Sequence, residues 1–348
     1  MDYALSDKTS ISLRFNTDQY TNVSPALAEN TITNMDTPNS VVDVQHIFSP
    51  TLLNDARIGQ NRDNYRDVGD GKSIYSLSIS GFTGYSLGDH SFRIDNSYSF
   101  VDNLTWTRGR HTIKAGLEIR RMQENKLHFK SLQSLSYVSE TTFLNNQLDS
   151  YSYAPLPVET QGRKNPYYGY VLDEFKIRPN LTVNAGLRYE YYGVDYDKNN
   201  LGQVFDPFTC GLQYCPPGTS FYHPNLHDFE PRLSVAWAPE IFHGKTAIRA
   251  GGGIFYSDGQ FGGLYAATTQ IGQSFSLSSV NIPTLSYPVA PFVANAVYSL
   301  SYSGKDRNRK DVAVDQWTFS IEQEVAKDTM FSVTYLGTKA PTNSVRRH

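Results

Sequence analysis

The stretch Leu181-Thr-Val-Asn-Ala-Gly-Leu-Arg-Tyr-Glu-Tyr191 puts Leu181, Val183, Ala185, Leu187, Tyr189 and Tyr191 on one parity, and Thr182, Asn184, Gly186, Arg188 and Glu190 on the other. Successive side chains of a strand point to opposite faces, so this is a ribbon with one apolar side and one wet, charged side. The apolar row ends in two tyrosines, whose amphipathic rings suit a boundary between hydrocarbon and water. Its length matches the ~9–11 tilted residues with which a β-strand crosses a bilayer. The segment reads as a membrane barrel strand.

The same period recurs along the chain. Ile11, Leu13 and Phe15 alternate with Ser10, Ser12, Arg14 and Asn16, and Tyr98, Phe100, Leu104 and Trp106 share a row that Asp102 interrupts. Ile113, Ala115, Leu117 and Ile119 alternate with Thr112, Lys114, Gly116, Glu118 and Arg120. Leu233, Val235 and Trp237 form another row, and Ile248, Ala250 and Ile254 stand opposite Arg249. Near the end, Trp317, Phe319 and Ile321 alternate with polar residues, as do Phe331, Val333 and Tyr335. A soluble sandwich alternates on its half-buried strands too, so the period alone favours a membrane only modestly.

The connections decide more, because short and long ones alternate. Short ones fall at Ser49-Pro50-Thr51, Thr107-Arg108-Gly109, Arg178-Pro179-Asn180, Pro239 to Gly244 and Ala326-Lys327-Asp328. Long ones run over 17–40, 62–96, 129–166, 193–230 and 257–311. Compact soluble domains rarely hold several loops beyond ~12–15 residues. Outer-membrane barrels have short periplasmic turns and long extracellular loops. Eleven strands are predicted, near 8–16, 41–48, 52–61, 97–107, 110–126, 167–177, 180–192, 230–238, 245–256, 313–324 and 328–337.

Composition agrees. Hydrophobic residues make up 39% of the 348, and no run approaches the ~18 apolar residues of a membrane helix. The mean hydropathy of -0.45 suits a barrel, half of whose strand residues face a wet lumen. With 24 tyrosines against 4 methionines, the chain is better matched to aromatic girdles and external loops than to a close-packed core. A net charge of -3 without a basic stripe argues against nucleic acid as a partner.

The motifs carry a family resemblance. Tyr168-Gly-Tyr-Val-Leu-Asp-Glu-Phe175 followed by Arg178-Pro-Asn-Leu-Thr-Val-Asn-Ala-Gly-Leu-Arg-Tyr-Glu190 resembles a strand pair of TonB-dependent outer-membrane receptors. Phe229-Glu-Pro-Arg-Leu-Ser-Val-Ala-Trp-Ala238 and Lys245-Thr-Ala-Ile-Arg-Ala-Gly-Gly-Gly-Ile-Phe-Tyr256 are similar to the next two strands. Ser49-Pro-Thr-Leu-Leu-Asn-Asp-Ala-Arg-Ile-Gly59 and Gln316-Trp-Thr-Phe-Ser-Ile-Glu-Gln-Glu324 resemble the Oar-like branch, whose large receptors begin with a carboxypeptidase-regulatory-like domain. The resemblance spans about residues 41–338, and the order and spacing of the motifs are more specific than any one of them.

Members of that family carry a signal peptide, a TonB box and a plug before a ~22-stranded barrel. Residues 1–20 hold no apolar h-region, and the first strand is expected by about residue 8 with no plug before it. Ser344-Val-Arg-Arg-His348 does not resemble the aromatic-terminated last strand of outer-membrane proteins. The expectation is therefore an internal fragment. Residues 1–348 would form a partial, all-β, antiparallel up-and-down transmembrane barrel with long extracellular loops, lacking the signal peptide, plug and C-terminal strands.

Chemistry-bearing groups are few. Cys210 and Cys215 share a long loop, where an oxidising outer surface would join them in a disulfide. His223 and His227 follow, so a zinc site is the competing reading, although Pro216, Pro217 and Pro224 break any helix that would align both histidines. Gly251-Gly-Gly253 and the glycines at 259–263 lack the strand-to-helix context of a phosphate cradle, and on a barrel strand mark bends or the close approach of another backbone, such as the plug. Lys114, Glu118, Arg120, Arg188, Glu190 and Arg249 are lumen-lining candidates, either along a transport path or as a solvated ladder of cross-strand pairs. Asp173-Glu174 and Asp228 with Glu230 read as strand ends near the interface. Neither a Ser-His-Asp set nor an HExxH motif is legible, so no enzyme, metal or cofactor is expected.

The resemblance implies part of the wall and outer loops of a TonB-dependent transporter in the outer membrane of a Gram-negative bacterium. Its partners would be outer-membrane lipid, its own plug, TonB, and a small-molecule, glycan or peptide substrate. Loop residues Tyr151, Tyr153, Tyr222, Phe261 and Tyr265 are the ligand-contact candidates. A passive porin or adhesin barrel is one alternative. The other is a soluble all-β carbohydrate-binding module using these aromatics and Tyr167 as sugar platforms.

Overall fold

A computed structural model describes residues 1–25, 30–69, 75–84, 90–129, 133–153, 159–201, 204–211, 215–258, 275–289 and 307–340. The chain begins with β1 (Asp2–Ser6), β2 (Thr9–Asn16), β3 (Gln19–Ser24), β4 (Thr31–Asp36), β5 (Asn39–Ser49) and β6 (Leu52–Gly69). It continues through β7 (Tyr75–Ile79), β8 (His90–Arg108), β9 (His111–Phe129), β10 (Gln133–Tyr137), helix α1 (Glu140–Leu144), β11 (Ser150–Tyr153) and β12 (Thr160–Lys164). The remaining strands are β13 (Tyr167–Arg178), β14 (Leu181–Tyr191), β15 (Tyr196–Asp197), β16 (Asp228–Trp237), β17 (Thr246–Ser257), β18 (Phe275–Ser278), β19 (Val312–Ala326) and β20 (Thr329–Lys339).

One sheet forms the wall, in the order β1-β2-β5-β6-β8-β9-β13-β14-β16-β17-β19-β20. Each neighbour pair is antiparallel and follows the chain up and down, as expected. The sheet is not closed, and β1 and β20 are its edges. The wall holds one strand more than the eleven predicted, because β1 is five exposed residues too short to show a period.

All short turns lie at one end, and backbone bonds staple them to the next hairpin. Ile47 N donates to Lys8 O, Thr107 N to Thr51 O and Lys176 N to Arg110 O, each at 2.8 Å. Gly109 and Asp328 sit in the left-handed region, both at φ 61°, which lets the chain reverse in so few residues. At the other end the expected 62–96 loop is largely ribbon, since β6 and β8 stay paired out to Asp67↔Ser91. At ~3.4 Å per residue such a strand is roughly 60 Å long, about twice the hydrocarbon thickness. Its outer part has no lipid to face, and there Phe92 and Ile94 of β8 stand opposite Arg66 and Asn64 of β6, so the apolar row breaks up.

The burial pattern is inverted relative to a soluble domain. Leu117, Leu187 and Leu233 of the wall are 43%, 44% and 62% exposed, and Trp317, Phe319, Val333 and Tyr335 share their outward face. Buried apolar residues such as Leu135, Leu148, Tyr151, Phe221 and Leu277 all belong to the connections at the long-loop end. Charges are what the wall buries: Glu190 is 8% exposed and Glu230 1%. A row of large apolar groups facing out all along a sheet is a lipid-contacting face, which excludes a soluble sandwich. Asp102, the exception in its row, keeps the outward parity and accepts a hydrogen bond from Asn54 Nδ2 at 2.5 Å. On the same face a Cβ at Gly337 would collide with the Trp317 indole, so the glycine makes room for the ring to lie flat on the sheet.

Besides β12, which pairs with β9 and β15, loop strands build two outer structures. The hairpin β3–β4 extends the sheet by pairing β4 with β6. The second is a cap sheet in the order β18-β11-β10-β7, drawn from three different long connections. Its core is Leu135, Tyr137, Leu148, Tyr151, Leu277 and Leu285.

Leu187→Arg or Leu117→Arg is expected to destabilise the protein by about 2–4 kcal/mol in a denaturant titration in lipid vesicles, whereas Asn184→Arg on the inner face is mild; equal costs would reverse the two faces. With Cys210 and Cys215 replaced by serine, a cysteine at Asn145 or Asn199 should react with an impermeant label on intact cells, and one at Asn180 should not. Labelling of all three alike would overturn the topology.

Candidate functional site

The inner face of β9, β13, β14 and β16 carries one continuous polar band. Register places Glu118 opposite Tyr168, Tyr168 opposite Glu190, and Arg188 opposite Glu230. The ring of Tyr168 lies between two guanidinium groups, Arg120 at 5.5 Å and Arg188 at 5.4 Å from its centroid. Arg120 pairs with Glu118, Arg188 with Glu190 at 2.5 Å and with Glu230 at 3.9 Å, and Arg232 closes the row on Glu230. Glu230 also accepts the Tyr256 N–H at 2.6 Å, so this nearly buried carboxylate is fully occupied. The spacing of two between Glu118 and Arg120, Arg188 and Glu190, and Glu230 and Arg232 keeps each pair on one face of its own strand.

Of the lumen candidates, Glu118, Arg120, Arg188 and Glu190 come together in this band. Arg249 stands apart, paired with Glu322 of β19, and Lys114 is exposed with no ion pair among the described residues. Sequence reasoning missed Tyr168, Glu230 and Arg232 as the centre of the band. The parity of Tyr168 with Leu172 hid it, because β13 turns apolar residues inward as well as outward.

A depression of about 270 Å³ lies beside the band, bounded by Leu172, Asn184, Arg232, Gly251, Gly253, Phe255 and Leu336. A Cβ at Gly253 would meet Arg232 Cγ at 2.9 Å and the Pro231 carbonyl oxygen at 3.0 Å, so both side chain and backbone of the neighbouring strand approach this glycine closely. Arg232 reaches over the Phe255 ring at 4.4 Å, and its Nε is buried with no hydrogen-bond partner among the described residues.

Above the band, charges tie loops to strand ends. Lys164 of β12 is 2% exposed, and its Nζ donates to Asp258 at 2.8 Å and lies 3.6 Å from Asp195. Arg309 donates to the Asp258 carbonyl at 2.7 Å and stacks over Tyr222 at 4.1 Å. Asn225 Nδ2 bridges Asp228 at 2.6 Å and Asp311 at 3.0 Å. Three connections therefore meet here, those after β9, β14 and β17. None of these long-range partners shares a local motif, which is why the cluster was not legible beforehand.

Cys210 and Cys215 are joined by a disulfide, which removes both thiolates from the zinc reading. Tyr222 packs beside them, 2% exposed; burial pushes its phenol well above the ordinary range, and its hydroxyl donates to Gly193 O at 3.2 Å. Tyr151 is buried in the cap-sheet core and Tyr153 packs against that core. Tyr167 stacks on Tyr191 at 6.1 Å on the outward face, as a boundary aromatic. Phe261 and Tyr265 lie outside the described residues.

Replacing Glu230 by alanine leaves Arg188 and Arg232 facing each other without their shared carboxylate. A loss of about 3–5 kcal/mol is expected, as for breaking a buried pair from one side, read as a lower denaturation midpoint. Arg249→Ala, at an exposed pair, should leave that midpoint in place.

The geometry is that of an outer-membrane protein, and comparison with known proteins agrees. A family model described as "Outer membrane beta barrel domain" matches residues 1–347. No curated protein matches the chain. Among solved structures it is similar to the outer membrane transporter YddB from Escherichia coli, with 15% identity and a TM-score of 0.61, covering 97% of this chain and 39% of that one. It is also similar to the ferripyoverdine receptor of the outer membrane of Pseudomonas aeruginosa bound to ferripyoverdine, with 10% identity and a TM-score of 0.51, covering 98% of this chain and 48% of that one. At such identities the likeness is one of fold, and the chain spans less than half the length of either structure. An outward apolar face, an inner charged band and the matching family model together place the protein in the outer membrane of a Gram-negative bacterium, and the chain belongs to the outer membrane beta barrel domain family.

Proposed function

We propose that the chain supplies part of the wall and the outer loops of a TonB-dependent receptor of the Oar-like branch that takes up a scarce substrate. The observation that carries this reading is the inner band from Glu118 to Arg232, polar groups that run across four strands of a wall whose other face is apolar. The motif order of the sequence and the likeness to transporter and receptor barrels support it.

In this reading residues 1–348 are an internal part of a longer protein. An open sheet edge leaves N–H and C=O groups without partners in hydrocarbon, so β1 and β20 would pair with further strands. A plug contributed by the longer protein would rest on the inner wall, its apolar groups in the depression near Gly251 and Gly253 and its polar groups on the band. Proton-gradient energy delivered by TonB would then displace the plug and open the lumen. The role assigned to the chain is binding and passage, without catalysis.

The test compares growth of cells carrying the native gene with cells lacking the gene, and with cells lacking TonB. The limiting nutrient is siderophore-bound iron, cobalamin or a glycan in separate cultures. Gene-dependent growth on one of these should vanish without TonB. If it persists without TonB, the protein is a passive channel. If no nutrient shows gene dependence while cell attachment does, it is an adhesin.

A further inference from the structure

The four strands of the cap sheet share one unusual composition: Tyr75-Ser-Leu-Ser-Ile79, Gln133-Ser-Leu-Ser-Tyr137, Ser150-Tyr-Ser-Tyr153 and Phe275-Ser-Leu-Ser278. Their register aligns the serines. Ser76, Ser134, Ser152 and Ser276 form one row across the sheet, and Ser78, Ser136, Ser150 and Ser278 form a second. Leu77, Leu135, Tyr151 and Leu277 fill the opposite face and belong to the buried core or pack on it. The serine face is therefore a grid of eight hydroxyls, spaced ~4.8 Å across strands and ~7 Å along them. It exists only when three separate connections fold together.

Ser76 Oγ donates to Ser134 Oγ at 2.8 Å, and Ser278 Oγ accepts from Val280 N at 3.2 Å. Among the described residues the other five hydroxyls make no hydrogen bond. None of the serines is buried: Ser78 is exposed and the other seven are half-buried. Threonine is the hydroxyl residue that strands favour, so strand formation does not explain eight serines. Serine differs in leaving the surface flat, with no methyl group to hold a ligand away.

We propose that this grid is a docking surface for a neutral polysaccharide captured from outside the cell. Charge complementarity selects the partner. The four strands hold no Asp, Glu, Lys, Arg or His, so an anionic ligand would meet no guanidinium or ammonium group, and a cation no carboxylate. An apolar partner would find no apolar area, because that face is spent on the cap's own core. A hydroxyl both donates and accepts, as do the hydroxyls of a sugar chain, and a flat repeated grid suits an extended polymer better than a single small ring. The proposal names a ligand class for the outer loops and rests on the uptake reading for that role. Its test measures binding without uptake, so the two fail separately.

Outer-membrane vesicles carrying the protein, from a strain without O-chains, are passed over immobilised dextran, laminarin, xylan and mannan, with polygalacturonate and purified lipopolysaccharide as contrasts. Vesicles lacking the protein set the background. Retention on at least one neutral polysaccharide is expected. It should fall at least tenfold when Ser76, Ser134, Ser152 and Ser276 are all changed to alanine, with the protease resistance of the loops unchanged. Ser152→Glu, which sets a bulky charge in a central strand, should cause a similar loss and keeps the test decisive if the alanine set unfolds. Retention on no neutral polysaccharide would overturn the proposal, as would retention on polygalacturonate or lipopolysaccharide alone. So would variants that keep resistant loops and bind like the native protein.

Discussion

A backbone N–H or C=O left without a partner in hydrocarbon costs several kcal/mol, and the rest of this protein is arranged around that penalty. The antiparallel ladder runs without a break from β1 to β20, giving each interior strand partners on both sides. The staples at the short turns continue it to the membrane boundary, as where Ala238 N reaches Asn180 O at 2.9 Å and Glu324 N reaches Lys245 O at 2.8 Å. Once the backbone is satisfied within the sheet, side chains are free to be sorted by face alone. Apolar groups such as Leu187 and Phe319 go to lipid, and charges such as Glu190 and Arg188 go inward.

That sorting removes the ordinary source of stability. Among the described residues the wall has no apolar core, so inner-face charges hold one another across strands. Glu230 shows how: it faces Arg188 and Arg232 and takes a backbone N–H, so its charge is nearly buried but fully partnered. Farther out, where water returns, apolar burial becomes available again. The cap sheet and the cluster of Val204, Cys215, Phe221 and Tyr222 use it to give the loops cores of their own. Inner charges in the wall and outer cores in the loops are two responses to two solvents.

The period of two along 181–191, 113–119 and 317–321 made the wall strands and their faces legible, because lipid on one side and water on the other impose opposite chemistry on alternate residues. Where that contrast disappears, so does the signal. The outer halves of β6 and β8 keep only a broken apolar row, with Phe92 and Ile94 opposite Arg66 and Asn64, and read as loop, yet the ladder continues through them. The same limit hid β7, β10, β11 and β18, four-to-five-residue strands paired across connections far apart in sequence.

The sequence by itself therefore determined the fold class, the alternation of short and long connections, and which parity meets lipid in wall strands such as β9, β14, β19 and β20, since each depends on a local contrast of solvents. Tertiary structure alone decided which strands are neighbours in register. It thereby brought Tyr168 between Arg120 and Arg188, Lys164 to Asp258, and eight serines of three loops into one grid. These meetings depend on pairing between segments tens of residues apart, and no local pattern of one strand encodes the side chain that will stand beside it on the next.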